Sequence, residues 1–219
     1  MSPYDRSEEN RMKRKGQLFV VSAPSGTGKT TICREVLKMV PDLKLSISYT
    51  TRPPRPIEKD GKDYFFVTES KFRDMIRQGA YAEWAQVHGH SYGTPKKTLL
   101  ASIDSGQDVL LNIDPQGAMQ LKKYFPQAVF VYLLPPSFET LKARLMERAA
   151  DPSEVINKRL EKATEEIRNY SVYSYLIVND DLKKAIDDLR AVIQAERLKV
   201  HLVDHAWVDR AFHLKKEEK

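Results

Sequence analysis

A short loop near the start of the chain constrains its fold more than any other feature of the sequence. Residues 23–30 read Ala-Pro-Ser-Gly-Thr-Gly-Lys-Thr and follow an apolar run at residues 18–21. Glycine adopts backbone conformations that other residues avoid, so Gly26 and Gly28 allow several N–H groups to point into one concavity. Such a concavity binds phosphate oxygens, and a helix beginning behind it adds its positive dipole end. The pattern predicts a strand, a phosphate-binding loop and a helix, in that order.

Two side chains of this loop suit the terminal phosphates of a nucleotide. Lys29 supplies a point charge, and the Thr30 hydroxyl is a suitable ligand for an accompanying Mg²⁺ ion. The first position of the motif, usually glycine, is Ala23 here, which is still small. The alternative is a chance glycine turn. The nucleotide-binding residues predicted from the motif are Ala23, Pro24, Ser25, Gly26, Thr27, Gly28, Lys29 and Thr30.

The composition narrows the class of protein and its partners. A chain of 219 residues with 41% hydrophobic and 30% charged residues is typical of one soluble globular domain. No apolar run approaches the roughly 20 residues that a membrane helix needs, so we expect no membrane partner. The net charge of +6 suits phosphate-bearing small molecules at least as well as nucleic acid, and we expect no nucleic-acid partner. The single cysteine excludes an intramolecular disulfide and favours a reducing, cytoplasmic location.

Short apolar runs predict the strands of the core, at residues 18–21, 109–113, 129–134, 175–178 and, with alternating serines, 43–49. Helical spacing between them, as in the stripe over residues 182–193, predicts helices. Buried strands that alternate with helices predict an α/β fold in which a five-stranded parallel sheet lies between helices. Ligands of such folds gather at the carboxyl ends of the strands, where the loop already lies.

Two arginines stand among prolines in the segment Thr-Arg-Pro-Pro-Arg-Pro at residues 51–56. Proline fixes the backbone and prevents a helix, so Arg52 and Arg55 are held on a stiff, extended scaffold. Two guanidinium groups presented in this way suit the capture of one phosphate. The alternative is a pair of solvated arginines on a proline-rich turn, and these residues alone leave both interpretations open.

Seven separated segments together resemble the guanylate kinase family, between about residues 16 and 193. They are SAPSGTGKTT, SYTTRPPRP, GKDYFFV, AEWAQVHGHSYGTP, NIDPQGA, INKRL and LIVNDDL. The resemblance implies a Mg²⁺-dependent transfer of the γ-phosphoryl group of ATP to GMP, giving ADP and GDP. It also implies a P-loop core with an inserted GMP-binding subdomain and a helical lid.

The resemblance divides the chain into one domain over residues 16–198 with flanking segments. The core comprises residues 16–50, 94–147 and 170–198, the GMP-binding insertion residues 51–93, and the lid residues 148–169. Residues 1–15 are expected to be a disordered basic leader, and residues 199–219 a C-terminal helical extension.

By the same resemblance, Arg52, Arg55, Tyr64 and Tyr92 hold the phosphate of GMP. Glu83 recognises guanine: a carboxylate accepts two hydrogen bonds from N1–H and the 2-amino group, whereas adenine offers an acceptor at N1 and no amino group beside it.

Three further residues complete the implied GMP-binding set: Ser48, Thr94 and Asp114. Thr94 with Pro95 is also a sound helix start, and both roles can hold together. Asp114, placed after the strand at residues 109–113, resembles a carboxylate that reaches Mg²⁺ or its waters, together with Thr30. The family usually has an acidic residue at position 112, where this chain has Asn112.

Arginines of the lid match those that close over the triphosphate of ATP in the family. The implied catalytic residues are Lys29, Arg52, Arg148 and Arg159, with Arg148 also binding ATP. Arg144 is a weaker third candidate of the lid arginines, for which the role of a solvated helix residue is favoured. Asn179 and Asp180 lie near the position of adenine in such folds, but helix capping is favoured for both.

Two alternatives remain beside a guanylate kinase. Guanylate-kinase-like domains of scaffold proteins share the fold but tend to lose the lysine of the P-loop, which this chain keeps as Lys29. A kinase for another nucleoside monophosphate is the second alternative, against which Glu83 and Ser48 favour guanine. ATP and GMP are the expected substrates, with dGMP as a further one, and a homo-oligomer is left open.

Overall fold

The computed structural model of the chain describes residues 15–87, 89–148 and 153–214. Two sheets and the helices around them account for most of these residues. The strands are β1 (Leu18–Ser22), β2 (Leu43–Leu45), β3 (Tyr49–Thr50), β4 (Phe65–Phe66), β5 (Tyr81–Val87), β6 (His90–Pro95), β7 (Asp108–Asn112), β8 (Val129–Leu134) and β9 (Tyr175–Val178). The α-helices are α1 (Lys29–Met39), α2 (Glu69–Arg77), α3 (Lys96–Asp104), α4 (Pro115–Tyr124), α5 (Phe138–Arg148), α6 (Ser153–Arg168), α7 (Leu182–Arg197) and α8 (His205–Ala211).

The central sheet has the strand order β2–β7–β1–β8–β9, and all neighbouring strands are parallel. This confirms the predicted α/β fold with a five-stranded parallel sheet. Side chains alternate along β1: Phe19 and Val21 pack with α1 and α7, whereas Leu18 and Val20 pack with α3 and α4. The uninterrupted apolar run of this strand is what a strand covered on both faces requires.

The predicted single strand over residues 43–49 is wrong, because that segment divides between two sheets. β2 pairs with β7, and the Ser46 amide still donates to the Leu110 carbonyl (3.0 Å) before the chain leaves the central sheet. β3 pairs instead with β4 and β6, in a second sheet of order β4–β3–β6–β5. An alternating pattern indicates half-burial but does not specify the partner strand, so the sequence could not reveal the change of sheet.

The second sheet carries its own small core. Phe72 of α2 is fully buried and stacks on Tyr81 of β5, with ring centroids 4.6 Å apart. β5 also contributes Ala82 to the apolar cluster between the central sheet and α4, which joins the two sheets. The strands of the second sheet lie between Tyr49 and Pro95, so this sheet begins and ends slightly outside the predicted GMP-binding insertion at residues 51–93. The division of the chain into core, insertion and lid stays a prediction.

Helices α5 and α6 form a separate pair that packs through a small apolar cluster. Leu141 and Leu145 of α5 meet Leu160 and Ala163 of α6, and all four side chains are buried. Residues 149–152 of the predicted lid lie outside the described residues, and α6 is described from Ser153 onward.

Both ends of the chain extend beyond the described part. Residues 1–14 of the predicted leader and residues 215–219 of the predicted C-terminal extension lie outside it. The described part of the extension contains a 3₁₀ turn at Val200–Leu202 and the short helix α8. In the described ranges, no helix has the length and apolar composition needed to cross a membrane.

Candidate active site

The predicted phosphate-binding loop lies between the carboxyl end of β1 and the first turn of α1. Gly26 and Gly28 have φ angles of 92° and 95°, in the left-handed region that favours glycine. Between them, the Thr27 hydroxyl donates to the Pro24 carbonyl (2.9 Å) and closes the turn. Helix α1 begins at Lys29, directly after Gly28, so its N-terminal N–H groups face the loop.

Two side chains from distant elements hold the loop from behind. The buried Asn179 donates through Nδ2 to the Thr27 carbonyl (2.6 Å), and Arg144 donates to the same carbonyl (3.5 Å) and to the carbonyl of Asn179 (3.2 Å). The capping role favoured for Asn179 and Asp180 is therefore wrong: Asp181 caps α7, accepting from the Lys184 amide (2.7 Å). The solvated role favoured for Arg144 is wrong as well, since its guanidinium braces the loop.

The Lys29 ammonium group lies beneath the loop, near the ends of β1 and β7. It donates to the carbonyl of Ile113, at the carboxyl edge of the central sheet. Removal of water lowers the pKa of Lys29 from its ordinary value, while the nearby carboxylate of Asp114 acts in the opposite direction. A cation that is partly shielded from water exerts a stronger electric field on a bound phosphate than a fully solvated cation does.

A cavity of about 250 Å³ opens above the loop and is lined by the eight loop residues that the sequence assigned to ATP. Helix α6 contributes one wall, which includes Arg159, and the catalytic role of Arg159 stays a prediction. The side chain of Arg148 falls outside the described residues, so its predicted role stays a prediction. The residues that line the cavity are Ala23 through Thr31, Val87, Asp114, Pro115, Arg159, Lys162, Ala163 and Glu166.

Glu166 is a functional candidate that the sequence did not indicate. This half-buried carboxylate on α6 faces the loop, and burial raises its pKa, with Lys162 (3.9 Å) opposing the rise and Asp114 adding to it. Helical spacing indicates an apolar face of a helix but not which polar side chain beside that face reaches a cavity, so the sequence gave no sign of Glu166.

Oxygen-bearing side chains lie at the edge of the same cavity. Thr30 is exposed at the start of α1, and Asp114 caps α4, accepting through Oδ1 from the amides of Gln116 (2.8 Å) and Gly117 (3.2 Å). Asn112 donates to the Thr30 hydroxyl over a long 3.5 Å. In the described ranges, no cluster of three His, Cys, Asp or Glu side chains could hold a metal ion. Hydroxyl and carboxylate oxygens are nevertheless the donors that Mg²⁺ prefers beside phosphate.

The second sheet brings together three of the four residues predicted to hold the phosphate of GMP. The Arg52 guanidinium lies over the ring of Tyr64, 5.5 Å from its centroid. Tyr92 stands edge-on to Tyr64, with ring centroids 5.9 Å apart. Arg55 is exposed on the adjoining turn, within the same proline-rich segment. These groups form a cationic and hydroxyl-bearing patch that is suited to a phosphate monoester.

Glu58 completes this patch and was not foreseen from the sequence. Both of its carboxylate oxygens accept from Nη2 of Arg52 (2.8 and 2.9 Å), and Oε2 also accepts from the Arg55 amide (2.8 Å). Burial opposes its ionisation, but these hydrogen bonds outweigh burial and lower the pKa of Glu58. A glutamate three residues after Arg55 in a turn was the signal available in the sequence.

Glu83, the predicted guanine-recognition residue, lies on β5 with only 4% of its surface exposed. Its Oε1 accepts the hydroxyl of Thr94 (2.5 Å), which lies on β6. Thr94 has no capping role, because α3 begins at Lys96 after Pro95 and lacks a side-chain cap. Burial raises the pKa of Glu83 to about 7; the Thr94 hydroxyl lowers it, and Asp114 raises it further.

Ser48 lies just before β3 at the edge of the second sheet. It is half-buried, and its carbonyl accepts from the Phe65 amide (2.9 Å). The contact of its hydroxyl with guanine stays a prediction.

Comparison with known proteins links these two pockets to one family. The family model described as guanylate kinase matches residues 15–196. A guanylate kinase of Syntrophotalea carbinolica is 54% identical over 185 residues, which cover 84% of this chain and 88% of the relative. One of Geobacter sulfurreducens is 50% identical over 186 residues, covering 85% and 92%. A crystal structure of guanylate kinase from Anaplasma phagocytophilum has a TM-score of 0.77 at 31% identity and covers 93% of this chain and 99% of that one.

Proposed function

The chain belongs to the guanylate kinase family, and from this premise we propose how its two pockets phosphorylate GMP with ATP. The observation that carries the proposal is the pairing of a lysine-bearing phosphate loop with a buried carboxylate on the second sheet. ATP occupies the loop between β1 and α1, and GMP occupies the face of the second sheet that carries Arg52, Tyr64, Tyr92 and Glu83. The reaction yields ADP and GDP.

The nucleophile of this reaction is an oxygen of the GMP phosphate. The second pKa of a phosphate monoester is about 6, so near neutral pH this oxygen is mostly ionised and needs no general base. The oxygen attacks the γ-phosphorus in line, the bond to the β-γ bridging oxygen breaks, and ADP leaves. The barrier is dominated by the approach of two polyanions, which makes charge compensation the main task of the protein.

Cations from four parts of the chain provide that compensation in our proposal. Lys29 acts from the loop, and Arg159 acts from the wall of the cavity, where it lies with the loop residues. Arg148 acts with Arg159 from the end of α5. Arg52, with Arg55 and the hydroxyl groups of Tyr64 and Tyr92, holds the acceptor phosphate in line. Approach of α6 to the loop excludes water, which would otherwise compete as an acceptor.

Glu83 selects guanine in this scheme. Its ionised carboxylate accepts from N1–H and the 2-amino group, with Ser48 and Thr94 beside it. Against adenine, the buried carboxylate would face an acceptor and lose its partners, which is the costly case for a buried polar group. The assigned contacts address the base and the phosphate and none addresses the 2′-hydroxyl, so we propose dGMP as a second substrate.

Thr30 and Asp114 are the residues that would hold Mg²⁺ beside the phosphates of ATP. The ion would neutralise charge on the β- and γ-phosphate oxygens. Asp114 is also part of the proposed GMP set, because it caps the turn of α4 whose Gly117 lies against the Glu83 carboxylate. We place the activity in the cytoplasm on the ground of the single cysteine, and leave the oligomeric state open.

The decisive test is a coupled assay of ADP release with GMP, dGMP, AMP and UMP, in the wild type and in Glu83→Gln. An amide offers one acceptor where the carboxylate offers two, so we expect kcat/KM for GMP to fall by about 1–3 kcal/mol equivalent. The ratio of GMP to AMP activity should fall with it. An unchanged ratio would show that another residue recognises guanine. Absence of turnover with every acceptor would favour a non-catalytic binding module.

A further inference from the structure

The carboxylate of Glu83 is enclosed between strand β6 of the second sheet and helix α4. On one side, Oε1 accepts the hydroxyl of Thr94 on β6. On the other side, Oε2 lies against Gly117, in the first turn of α4. Ala82 and Ala85, which flank the site on β5, are buried as well. The orientation of the carboxylate therefore depends on how closely α4 can approach β5.

Gly117 is a glycine that the backbone does not require. Its φ angle lies outside the left-handed region, and it occupies an ordinary helical position with its amide donating to Asp114. Glycine at such a position lowers helix stability relative to alanine, so helix propensity alone would favour a larger residue. The explanation for the absence of a side chain lies in what surrounds it.

The space beside Gly117 is filled by the carboxylate. A methyl group at this position would lie 3.1 Å from Cδ of Glu83 and closer still to its Oε2, whereas Cδ1 of Ile113 would be at an ordinary 3.5 Å. Neither partner is free to retreat without loss. Movement of Glu83 breaks its hydrogen bond to Thr94, and movement of α4 disturbs Ala118 and Leu121 in the core.

We propose that Gly117 is a positioning residue for guanine recognition, which lets the Glu83 carboxylate lie against α4 in the orientation that accepts two hydrogen bonds. This inference rests on the proposed role of Glu83. The first turn of α4 then serves both substrates, since Asp114 at its start faces the ATP cavity and Gly117, three residues later, supports the guanine site.

The test is Gly117→Ala, assayed with GMP and AMP at saturating ATP and then with ATP varied. We expect kcat/KM for GMP to fall about 10- to 100-fold, the loss of one to two well-made hydrogen bonds, and the preference for GMP over AMP to fall with it. The KM for ATP should change less than about twofold. Gln116→Ala is the matched control, because Gln116 lies on the same turn but is exposed; its kinetics should equal those of the wild type.

A double variant separates displacement of the carboxylate from damage to the fold. Glu83→Asp shortens the side chain by one methylene and withdraws its oxygens from position 117. In Gly117→Ala with Glu83→Asp, the loss should therefore be smaller than the product of the two single losses, at equal thermal stability. Independent, multiplicative losses would overturn the proposal, as would a Gly117→Ala variant in which the KM for ATP and that for GMP rise together.

The GMP to AMP activity ratios of Glu83→Gln and Gly117→Ala distinguish the proposed role of Glu83 from that of Gly117. If Glu83→Gln leaves the GMP to AMP ratio unchanged, the proposed role of Glu83 is wrong and the inference falls with it. If Glu83→Gln lowers the ratio and Gly117→Ala does not, Glu83 keeps its role and only the inference about Gly117 is overturned.

Discussion

The pocket proposed for ATP (the donor pocket) and the pocket proposed for GMP (the acceptor pocket) present different groups to a phosphate. The loop at residues 23–30 offers backbone N–H groups shaped by Gly26 and Gly28, from one contiguous stretch of chain. The acceptor pocket has no such loop among the described residues. It is formed by the side chains of Arg52, Tyr64 and Tyr92, which come from separate parts of the second sheet. One pocket is specified by local sequence, whereas the other exists only after long-range pairing.

The two pockets also differ in how their cations are compensated without substrate. Lys29 donates to a neutral carbonyl, that of Ile113, whereas Arg52 is paired with both oxygens of the Glu58 carboxylate. Arg52 and Glu58 have side chains only 14% and 10% exposed, so their interaction is poorly screened by solvent. The arginine of the acceptor pocket is thus paired directly with a carboxylate, whereas the lysine of the donor pocket is held by a carbonyl, with the Asp114 carboxylate acting on it only through its charge. This contrast predicts that substitutions on the two sides give different kinetic signatures.

The largest effect should come from Lys29→Ala. We expect phosphoryl transfer to be abolished, because in our proposal Lys29 acts on charge at the phosphates of ATP. Binding of GMP, measured by isothermal titration calorimetry, should survive because the acceptor pocket lies on another sheet. Lys38→Ala, an exposed change at the far end of α1, is the control. Near-normal kcat in Lys29→Ala would remove the basis for assigning the loop to ATP.

Next in size are the arginines on either side of the reacting phosphates. Arg159→Met should lose at least about 10³-fold in kcat and kcat/KM together with little change in the KM for ATP, since Arg159 acts on charge that develops during transfer. Arg148→Met is expected to behave in the same way. Arg52→Met should in addition raise the KM for GMP strongly, because Arg52 binds the acceptor phosphate before reaction.

Steady-state kinetics of these three variants test whether the arginines of the donor pocket act on kcat while Arg52 of the acceptor pocket also acts on the KM for GMP. Lys158→Met changes an exposed neighbour of Arg159 on α6 and should leave all constants near those of the wild type. If Arg159→Met and Arg148→Met only raise the KM for ATP, both arginines act in ground-state binding and the catalytic assignment is wrong.

The two pockets also differ in how far they could be predicted from the sequence. The phosphate loop was predicted from residue types alone, because each requirement is met within eight consecutive positions. Arg52, Tyr64, Tyr92 and Glu83 were assigned through resemblance to a family, since nothing local indicates that they share a site. The central sheet followed from buried apolar runs.

The residues that the sequence did not reveal share one property: their roles depend on neighbours distant in the chain. Asn179 supports Thr27, 152 positions away, although its sequence context suggested a helix cap. Gly117 opposes Glu83 across two elements, and Glu166 reaches the ATP cavity from the end of a long helix. Local patterns cannot encode such contacts, because they arise only when the sheets and helices have packed.

The smallest expected effect concerns pH and tests the acceptor pocket alone. Burial raises the pKa of Glu83 to about 7, while the hydrogen bond from Thr94 lowers it. Thr94→Val removes that donor at nearly constant shape, so the pKa of Glu83 should rise further, by about one unit for a hydrogen bond to a charged group. A higher pKa in an acid means less carboxylate at a given pH. The acid limb of kcat/KM for GMP should therefore move to higher pH.

The ratio of wild-type to Thr94→Val kcat/KM isolates this effect, because the phosphate of GMP titrates equally in both assays and cancels. The ratio should be largest near pH 6 and smallest near pH 9, where Glu83 is ionised in both proteins. Thr98→Val, an exposed change on α3, should give a ratio of one throughout. A profile that is lowered uniformly without moving along the pH axis would mean that Thr94 contacts GMP directly and does not act through the ionisation of Glu83. In that case the hydrogen-bond geometry of the site alone would select guanine. A shift of the acid limb to higher pH would show that the ionisation of Glu83 also contributes to the selection of the acceptor.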